Sequence, residues 1–314
     1  MSDASRFTFH ASRFLVFFPG ALGDLICFLP TLAALIQRHG SEPTLVTKPE
    51  WQELLAVPNA STVSIDRSEV ADLFTSARPL RESTKDLFGA HSHAYSWTGA
   101  SEPAFAERLA AVVGGSSSVY RFRGMAAGEH AVDYYARCAG VDPLPFAQFL
   151  RVDTDWFASF RQRHDLTGRL LVVHPGSGSP AKNWTGFADL VGRWQQRPGE
   201  RDRIIALRGP AEEGVDKFEC ALPLGNLTLP QVAALLKGCD AYAGNDSGIS
   251  HLAGAVGTRG VVLFGSTDPD TWAPRNGRLK VIHAPATCAS CGPSRFCTHR
   301  LSIDRVAALL DLRE

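Results

Sequence analysis

The chain lacks an excess of either charge: 32 Lys and Arg offset 32 Asp and Glu in 314 residues. It therefore carries no bulk field to attract nucleic acid or an anionic membrane, and any recognition of phosphate has to be built locally. An even disulfide framework is missing too. There are seven cysteines, and four of them (Cys27, Cys138, Cys220, Cys239) stand in apolar or helical surroundings, as small core residues do. No tandem repeat of about 20–50 residues appears. Nor is there a clean membrane span. Residues 14–36 are apolar and about long enough, but Asp24 sits in their middle, and Pro19-Gly20 and Gly23 interrupt them. An unpaired carboxylate would be costly in lipid. With no charged leader and cleavage-site pattern either, the expectation is a cytoplasmic protein.

What is present is a strict alternation. At 45% hydrophobic and 20% charged residues, the composition is that of a globular protein with material for two cores. The apolar run 14–18 reads as a central parallel strand. A Pro-Gly turn follows, then a helix over 25–38 ended by Gly40. Strands are expected at 45–47, 63–65 and 119–122, with helices at 51–56, 70–74, 103–113, 129–140 and 156–164. Residues 78–98 show no period, and the segment from His91 to Trp97 reads either as a surface loop or as a loop offering hydroxyl, imidazole and indole groups to a sugar-like acceptor. The alternation resumes with strands at 170–173, 203–207 and 261–264 and helices at 187–195, 229–237 and 303–312. Pro and polar residues loosen the pattern near 150–168. Two Rossmann-like domains facing a cleft are expected, 1–160 and 161–314.

The stretch Gly244-Asn-Asp-Ser-Gly-Ile-Ser-His251 is the most informative. It follows a short apolar strand and opens a helix that Gly257 can close. Such a turn lies where open α/β sheets bind ligands, because a helix N-terminus presents free N–H donors and partial positive charge. Asn, Asp and Ser here are equally the residues of an ordinary cap. Asp24, after the first strand, is either a helix N-cap or a carboxylate aimed into the cleft as a general base. The loop His174-Pro-Gly-Ser177-Gly178-Ser-Pro-Ala-Lys182-Asn-Trp184 has no Walker spacing. Its small residues still allow close backbone approach, and Lys182 is either a solvated lysine or the partner of a diphosphate. Glu212, in Gly209-Pro-Ala-Glu212, can take ribose hydroxyls or simply favour a helix start. Ser266 and Thr267, after the last strand of the unit, can bind phosphate or make a turn.

Taken together these motifs resemble glycosyltransferase family 9, the lipopolysaccharide heptosyltransferase family. The matching residues are Gly20-Ala-Leu-Gly-Asp24 with Leu29-Pro30, the loop from Pro175 to Trp184, Gly209 to Glu212, and Gly244 to Gly257 continued by Leu263-Phe-Gly-Ser-Thr-Asp-Pro269. The resemblance implies a GT-B fold in which a final helix packs back across two Rossmann-like domains. It implies inverting, metal-independent transfer of a sugar, heptose above all, with no cofactor. The donor would be a nucleotide-diphosphate sugar such as ADP-heptose. The acceptor would be lipopolysaccharide or another cell-surface glycan, met at the inner membrane. By position, Asp24 resembles the base, Lys182 the diphosphate partner and Glu212 a nucleoside contact. Ser177, Gly178, Asp246, Ser247, Gly248, Ile249 and His251 fall in the donor site, with His251 counted among the catalytic groups. Because Asp246 would repel a diphosphate, its carboxylate is expected to face the helix N–H groups or His251. A sugar-nucleotide epimerase and an inactive sugar-nucleotide-binding protein are the alternative readings.

This sequence departs from the family at Phe18-Pro19, where many relatives carry a polar or basic residue, and at Ser247, where Thr is usual. Cys288, Cys291, Cys297 and His299 supply the ligand types of a tetrahedral zinc site, though only one Cys-x2-Cys knuckle has standard spacing. Reduced structural or redox-sensitive thiols are the other reading.

Overall fold

Buried on both faces, a central parallel strand is spelled as an unbroken apolar run, and Phe14 to Phe18 are all buried in β1 (Arg13–Phe18). The computed structural model describes residues 13–196, 202–209, 218, 221–275, 278–284 and 301–310. In the first half, β1 is joined by β2 (Pro43–Thr47), β3 (Ser61–Ser64), β4 (His91–Ser96) and β5 (Ser116–Val119). Between and after them come α1 (Leu22–His39), α2 (Trp51–Leu54), α3 (Ser68–Asp72), α4 (Glu82–Phe88), α5 (Pro103–Val112) and α6 (Ala131–Ala139). The connection onward runs through α7 (Thr154–Arg163). The second half has β6 (Leu170–His174), β7 (Arg203–Leu207), β8 (Leu222–Leu224), β9 (Ala241–Asn245), β10 (Arg259–Phe264) and β11 (Arg278–His283). Its helices are α8 (Phe187–Gln195), α9 (Leu229–Gly238), α10 (Gly248–Ala255), α11 (Pro269–Trp272) and α12 (Ile303–Leu310).

The strand orders are β3-β2-β1-β4-β5 and β8-β7-β6-β9-β10-β11, and the strands pair in parallel throughout. Each sheet thus reverses direction once, at β1/β4 and at β6/β9. These are the switch points where crevices open beyond the carboxyl ends of strands. One apolar core runs through both halves: α1 and α6 share it with Val172 of β6, Val232 of α9 and Phe264 of β10. Helix α1 packs directly on α10, so the two switch points face each other.

Residues 78–98 correct the sequence reading. They hold α4 and β4, and β4 lies inside the first sheet between β1 and β5. His91 is buried and bonds the Phe88 carbonyl and Thr44 Oγ1, at 3.0 and 2.8 Å. Trp97 is wholly buried among Phe18, Phe28, Tyr120 and Tyr135. Neither is offered to an acceptor. β5 runs over 116–119 rather than 119–122, because three serines at a half-exposed sheet edge make a strand with no apolar signature. β8 and β11, both outer strands, were not foreseen. The described part of α12 packs on its own domain and not across both. Val306 and Leu310 join Leu190, Trp194 and Val261 in the second core, and Arg193 pairs with Asp304.

Candidate active site

The two switch points enclose a cleft of about 290 Å³ lined by Asp24 and Arg123 from one side and by Lys182, Asp246, Ser247, Gly248, His251, Thr267 and Trp272 from the other. All but Trp272, which ends α11, lie on the connection after the carboxyl end of a strand or in the first turn of the helix after it.

On the first wall, β1 ends in a turn anchored by Trp51, whose indole N–H donates to the Gly20 carbonyl at 2.9 Å. Asp24 is not the N-cap of α1. Ala21 holds that place, and Asp24, three residues on, accepts from the Ala21 N–H at 3.2 Å. A carboxylate here is favoured by the helix dipole. Its side chain is 3% exposed, and Arg123 Nη2 donates to both oxygens, at 3.1 and 3.0 Å. The Arg123 guanidinium lies over two rings, 5.5 Å from the Phe122 centroid and 5.2 Å from that of Trp272 on the other domain. No motif in the sequence announces Arg123 or Trp272.

On the second wall, Asn245 ties two loops together. Its Oδ1 accepts from the Trp184 N–H at 3.1 Å and its Nδ2 donates to the Pro175 carbonyl at 2.6 Å. This fixes the 175–184 loop against the end of β9 and brings Lys182 Nζ to 2.7 Å from Asp246 Oδ2. Thr267 Oγ1 donates to the same oxygen at 2.6 Å. The expectation that Asp246 faces the N–H groups of α10 or His251 is therefore corrected, since Lys182 balances its charge and the Thr267 hydroxyl donates to the same oxygen. Ser247 is the N-cap of α10, accepting from the Ser250 N–H at 3.4 Å, and its Oγ also meets His174 Nδ1 at 3.2 Å. Because Ser247 caps only one donor, the first turn of α10 keeps N–H groups directed at the cleft.

Where α1 and α10 meet, side chains have been dispensed with. A Cβ on Gly248 would lie 2.8 Å from Leu22 Cβ and 3.1 Å from the Gly23 nitrogen, and a Cβ on Gly23 would lie 3.0 Å from His251 Cδ2. Two helix N-termini therefore approach one cavity, each carrying about half a positive charge. His251 is buried beneath them, with Nδ1 3.6 Å from Cys27 Sγ. Burial pushes its pKa well below 6.5; Asp246 opposes that shift, while His130 and Lys182 reinforce it. His251 is thus a neutral ring. Burial, with Asp24 adding to it, pushes the Cys27 thiol up and keeps it protonated. A thiol donating to Nδ1 leaves the ring proton on Nε2.

Among the residues singled out from sequence, the cleft brings together Asp24, Gly178, Lys182, Asp246, Ser247, Gly248 and His251. Ser177 shapes its loop, donating to the Ser179 carbonyl, with Asn183 Oδ1 also within 2.8 Å. Ile249 packs against the shared core. Glu212 and the Cys288, Cys291, Cys297 and His299 group lie outside the described residues.

Two Rossmann-type sheets with their carboxyl edges opposed across one cleft define the GT-B architecture of glycosyltransferases. The chain belongs to glycosyltransferase family 9 (heptosyltransferase), whose model matches residues 107–296 and so takes in Arg123, Lys182, Asp246 and His251. It is accordingly a glycosyltransferase. No curated protein sequence matches it. Many solved structures resemble it in fold, and three of them are the following. A glycosyl transferase family 9 protein from Veillonella parvula matches at TM-score 0.70 and 20% identity, over 87% of this chain and 86% of its own. The E. coli ADP-heptose LPS heptosyltransferase II matches at TM-score 0.67 and 18% identity, over 95% and 98%. The E. coli heptosyltransferase WaaC with ADP matches at TM-score 0.62 and 18% identity, over 95% and 99%.

Proposed function

We propose that this enzyme transfers a sugar, heptose in the first instance, from a nucleotide-diphosphate donor to a cell-surface glycan acceptor, with inversion and without a catalytic metal. One observation carries the reading. A buried carboxylate on the first domain, Asp24, faces a lysine and a helix N-terminus on the second, Lys182 and the start of α10, across one cleft. Inversion needs those elements on opposite sides of the reacting carbon. The acceptor hydroxyl attacks from the Asp24 side and gives its proton to that carboxylate. The bond to the diphosphate oxygen breaks on the other side, where Lys182 and the N–H groups of α10 meet the growing charge. Neutral His251 beneath the helix start adds an N–H without competing as a base.

The ion pairs inside the cleft give the donor something to exchange. Lys182 is held by Asp246 at 2.7 Å, and an arriving diphosphate competes for the same ammonium. Thr267 remains on Asp246 and limits the cost of that exchange. The ADP of the E. coli WaaC structure and the ADP-heptose named for heptosyltransferase II make ADP-heptose the first donor to try. Such an acceptor would be met at the cytoplasmic face of the inner membrane; among the described residues no helix is long and apolar enough to cross a membrane.

The test is a panel of sugar nucleotides followed by two substitutions. Asp24→Asn should keep donor binding and lose transfer by roughly a hundredfold or more. Lys182→Ala should lose donor affinity and rate together, by about 3 kcal/mol, a hundredfold or more. Absence of binding by every sugar nucleotide at millimolar concentration would end this reading. Wild-type transfer by Asp24→Asn would remove Asp24 from the role of base.

A further inference from the structure

At the opposite edge of the second sheet, away from the cleft, the strand beginnings gather cations. Arg169 directly precedes β6, Arg259 opens β10 and Arg278 opens β11, while Lys237 stands in the last turn of α9. These four and Asp240 surround a concavity of about 440 Å³. Part of this charge has an ordinary use. Helices α9 and α10 end here, and cations complement helix C-termini. Magnitudes decide whether that is all. Two helix ends are worth about half a negative charge each, and Asp240 adds one full charge. Against the four cations that line the concavity, roughly two positive charges stay unmet by the groups lining it, and roughly one once Asp202, which accepts from the Arg169 N–H at 3.0 Å, is counted.

Two details make this more than scattered surface charge. Arg259 and Arg278 are register partners on adjacent parallel strands, so two exposed guanidinium side chains start about 4.8 Å apart. Like charges abreast destabilise a sheet unless something anionic lies between them. Among the described residues neither arginine has an ion-pair partner. Arg169 meanwhile is held in place, its guanidinium 4.8 Å from the Trp194 ring. A stacked, oriented arginine beside a paired set is the arrangement that binds oxyanions bidentately.

We propose that this concavity is a second anion site, taking a small soluble molecule with a phosphate or diphosphate group, independent of the donor site and of the reading given for it. A pocket of this volume suits a small phosphorylated molecule better than a flat lipid surface.

The probe is inorganic diphosphate, titrated calorimetrically into the full-length chain, with folding of each variant checked by circular dichroism. Wild type should bind at two places. The double variant Arg259→Gln/Arg278→Gln changes only exposed side chains and should weaken one binding event about tenfold or more, the scale of lost hydrogen bonds to a charged group. Lys182→Ala should weaken the other and leave this one. Arg259→Lys, which keeps the charge but loses the bidentate fork, should fold like wild type and lose only part of the affinity, so that a larger loss in the double variant reads as lost charge. Unchanged binding in the double variant overturns the proposal, as does loss of all binding in Lys182→Ala alone. Vesicles mixing phosphatidylcholine with phosphatidylglycerol form the second arm. Sedimentation with them that depends on Arg259 and Arg278, without diphosphate binding at this edge, overturns it in favour of a lipid surface.

Discussion

Arg123 Nη2 bridges both carboxylate oxygens of Asp24 at 3.1 and 3.0 Å while its guanidinium stacks 5.2 Å from Trp272 of the opposite domain. One side chain thus touches the proposed base and the far wall of the cleft together. The Arg123 side chain is 58% exposed while Asp24 is buried, so water can partly replace the guanidinium, and the ion pair and the stacking contribute modestly, about 1–2 kcal/mol each. Its effect is on orientation. Arg123→Ala should melt within a few degrees of wild type, bind donor normally and lose kcat by about tenfold or more as Asp24 loses its fixed direction. Arg123→Lys should recover part of that rate. Separate measurement of kcat and donor KM checks this, and an unchanged kcat would show that Asp24 needs no partner.

Close approach of α1 and α10 depends on glycine. In Gly248→Ala the added methyl meets Leu22 Cβ at 2.8 Å and the Gly23 nitrogen at 3.1 Å, and a backbone atom cannot step aside as a side-chain tip can. The expected cost is about 1–3 kcal/mol, typical of overpacking, together with reduced transfer because the two helix N-termini are pushed apart. Denaturant unfolding and a rate assay test both parts. A stable, fully active Gly248→Ala would mean that the two helices can separate freely.

How far this arrangement was legible depends on where each residue's partners lie. Buried strands such as 14–18 and 170–173 are apolar runs and can be read without knowing the fold. β4, His-Ser-His-Ala-Tyr-Ser, cannot. Its polar groups are satisfied by Thr44, by the Phe88 carbonyl and by Ser116, and local periodicity is blind to such contacts. Likewise Asp24, Lys182, Asp246 and Ser247 stand in strand–turn–helix signatures, while Arg123 sits on an unpatterned connection and Trp272 ends the one-turn helix α11, and Arg123 meets Asp24 from 99 positions away. The partner of Asp246 is hidden from the local sequence for the same reason. Its local surroundings offer helix N–H groups, but the fold delivers Lys182 from 64 positions away.

Asp72 explains what part of the unperiodic 78–98 segment is for. Its carboxylate is fully buried and accepts from Arg81 Nε at 2.7 Å, Arg78 Nη2 at 2.9 Å and Thr84 Oγ1 at 2.7 Å, which ties the start of that segment to α3. The Arg81 hydrogen bond, followed by that of Thr84, holds its pKa well below the usual carboxylate range against the opposing effect of burial. Asp72→Ala leaves the buried Thr84 hydroxyl without its acceptor, while the exposed Arg78 and Arg81 turn to water, and should cost about 1–3 kcal/mol. Neither Asp72 nor its partners Arg78, Arg81, Thr84 and Arg108 line the cleft, so the fraction that remains folded should bind donor normally. Urea unfolding beside a donor titration tests this, and loss of donor affinity in folded protein would contradict it.

Burial of neutral His251 sets a direction for stability with pH. The unfolded chain protonates this ring below about pH 6.5, whereas the folded protein resists protonation until well below that, because the ring is desolvated and sits near Lys182 and His130. Between those values the unfolded state binds more protons, so stability falls as pH drops from 6.5. His130 acts in the same direction. Its Nδ1 accepts from the Val132 N–H, which leaves Nε2 to donate to the Ala273 carbonyl, and burial lowers its pKa as well. Asp72, held low, loses its contribution only below about pH 4 and does not interfere. His251→Gln keeps a polar side chain but cannot titrate, so its melting temperature should fall less steeply than that of wild type between pH 7 and pH 5. Equal slopes for the two proteins would mean that the folded state accommodates a charged His251, and the ring would then lie in a wetter cleft than the contacts with Cys27 and Gly23 allow.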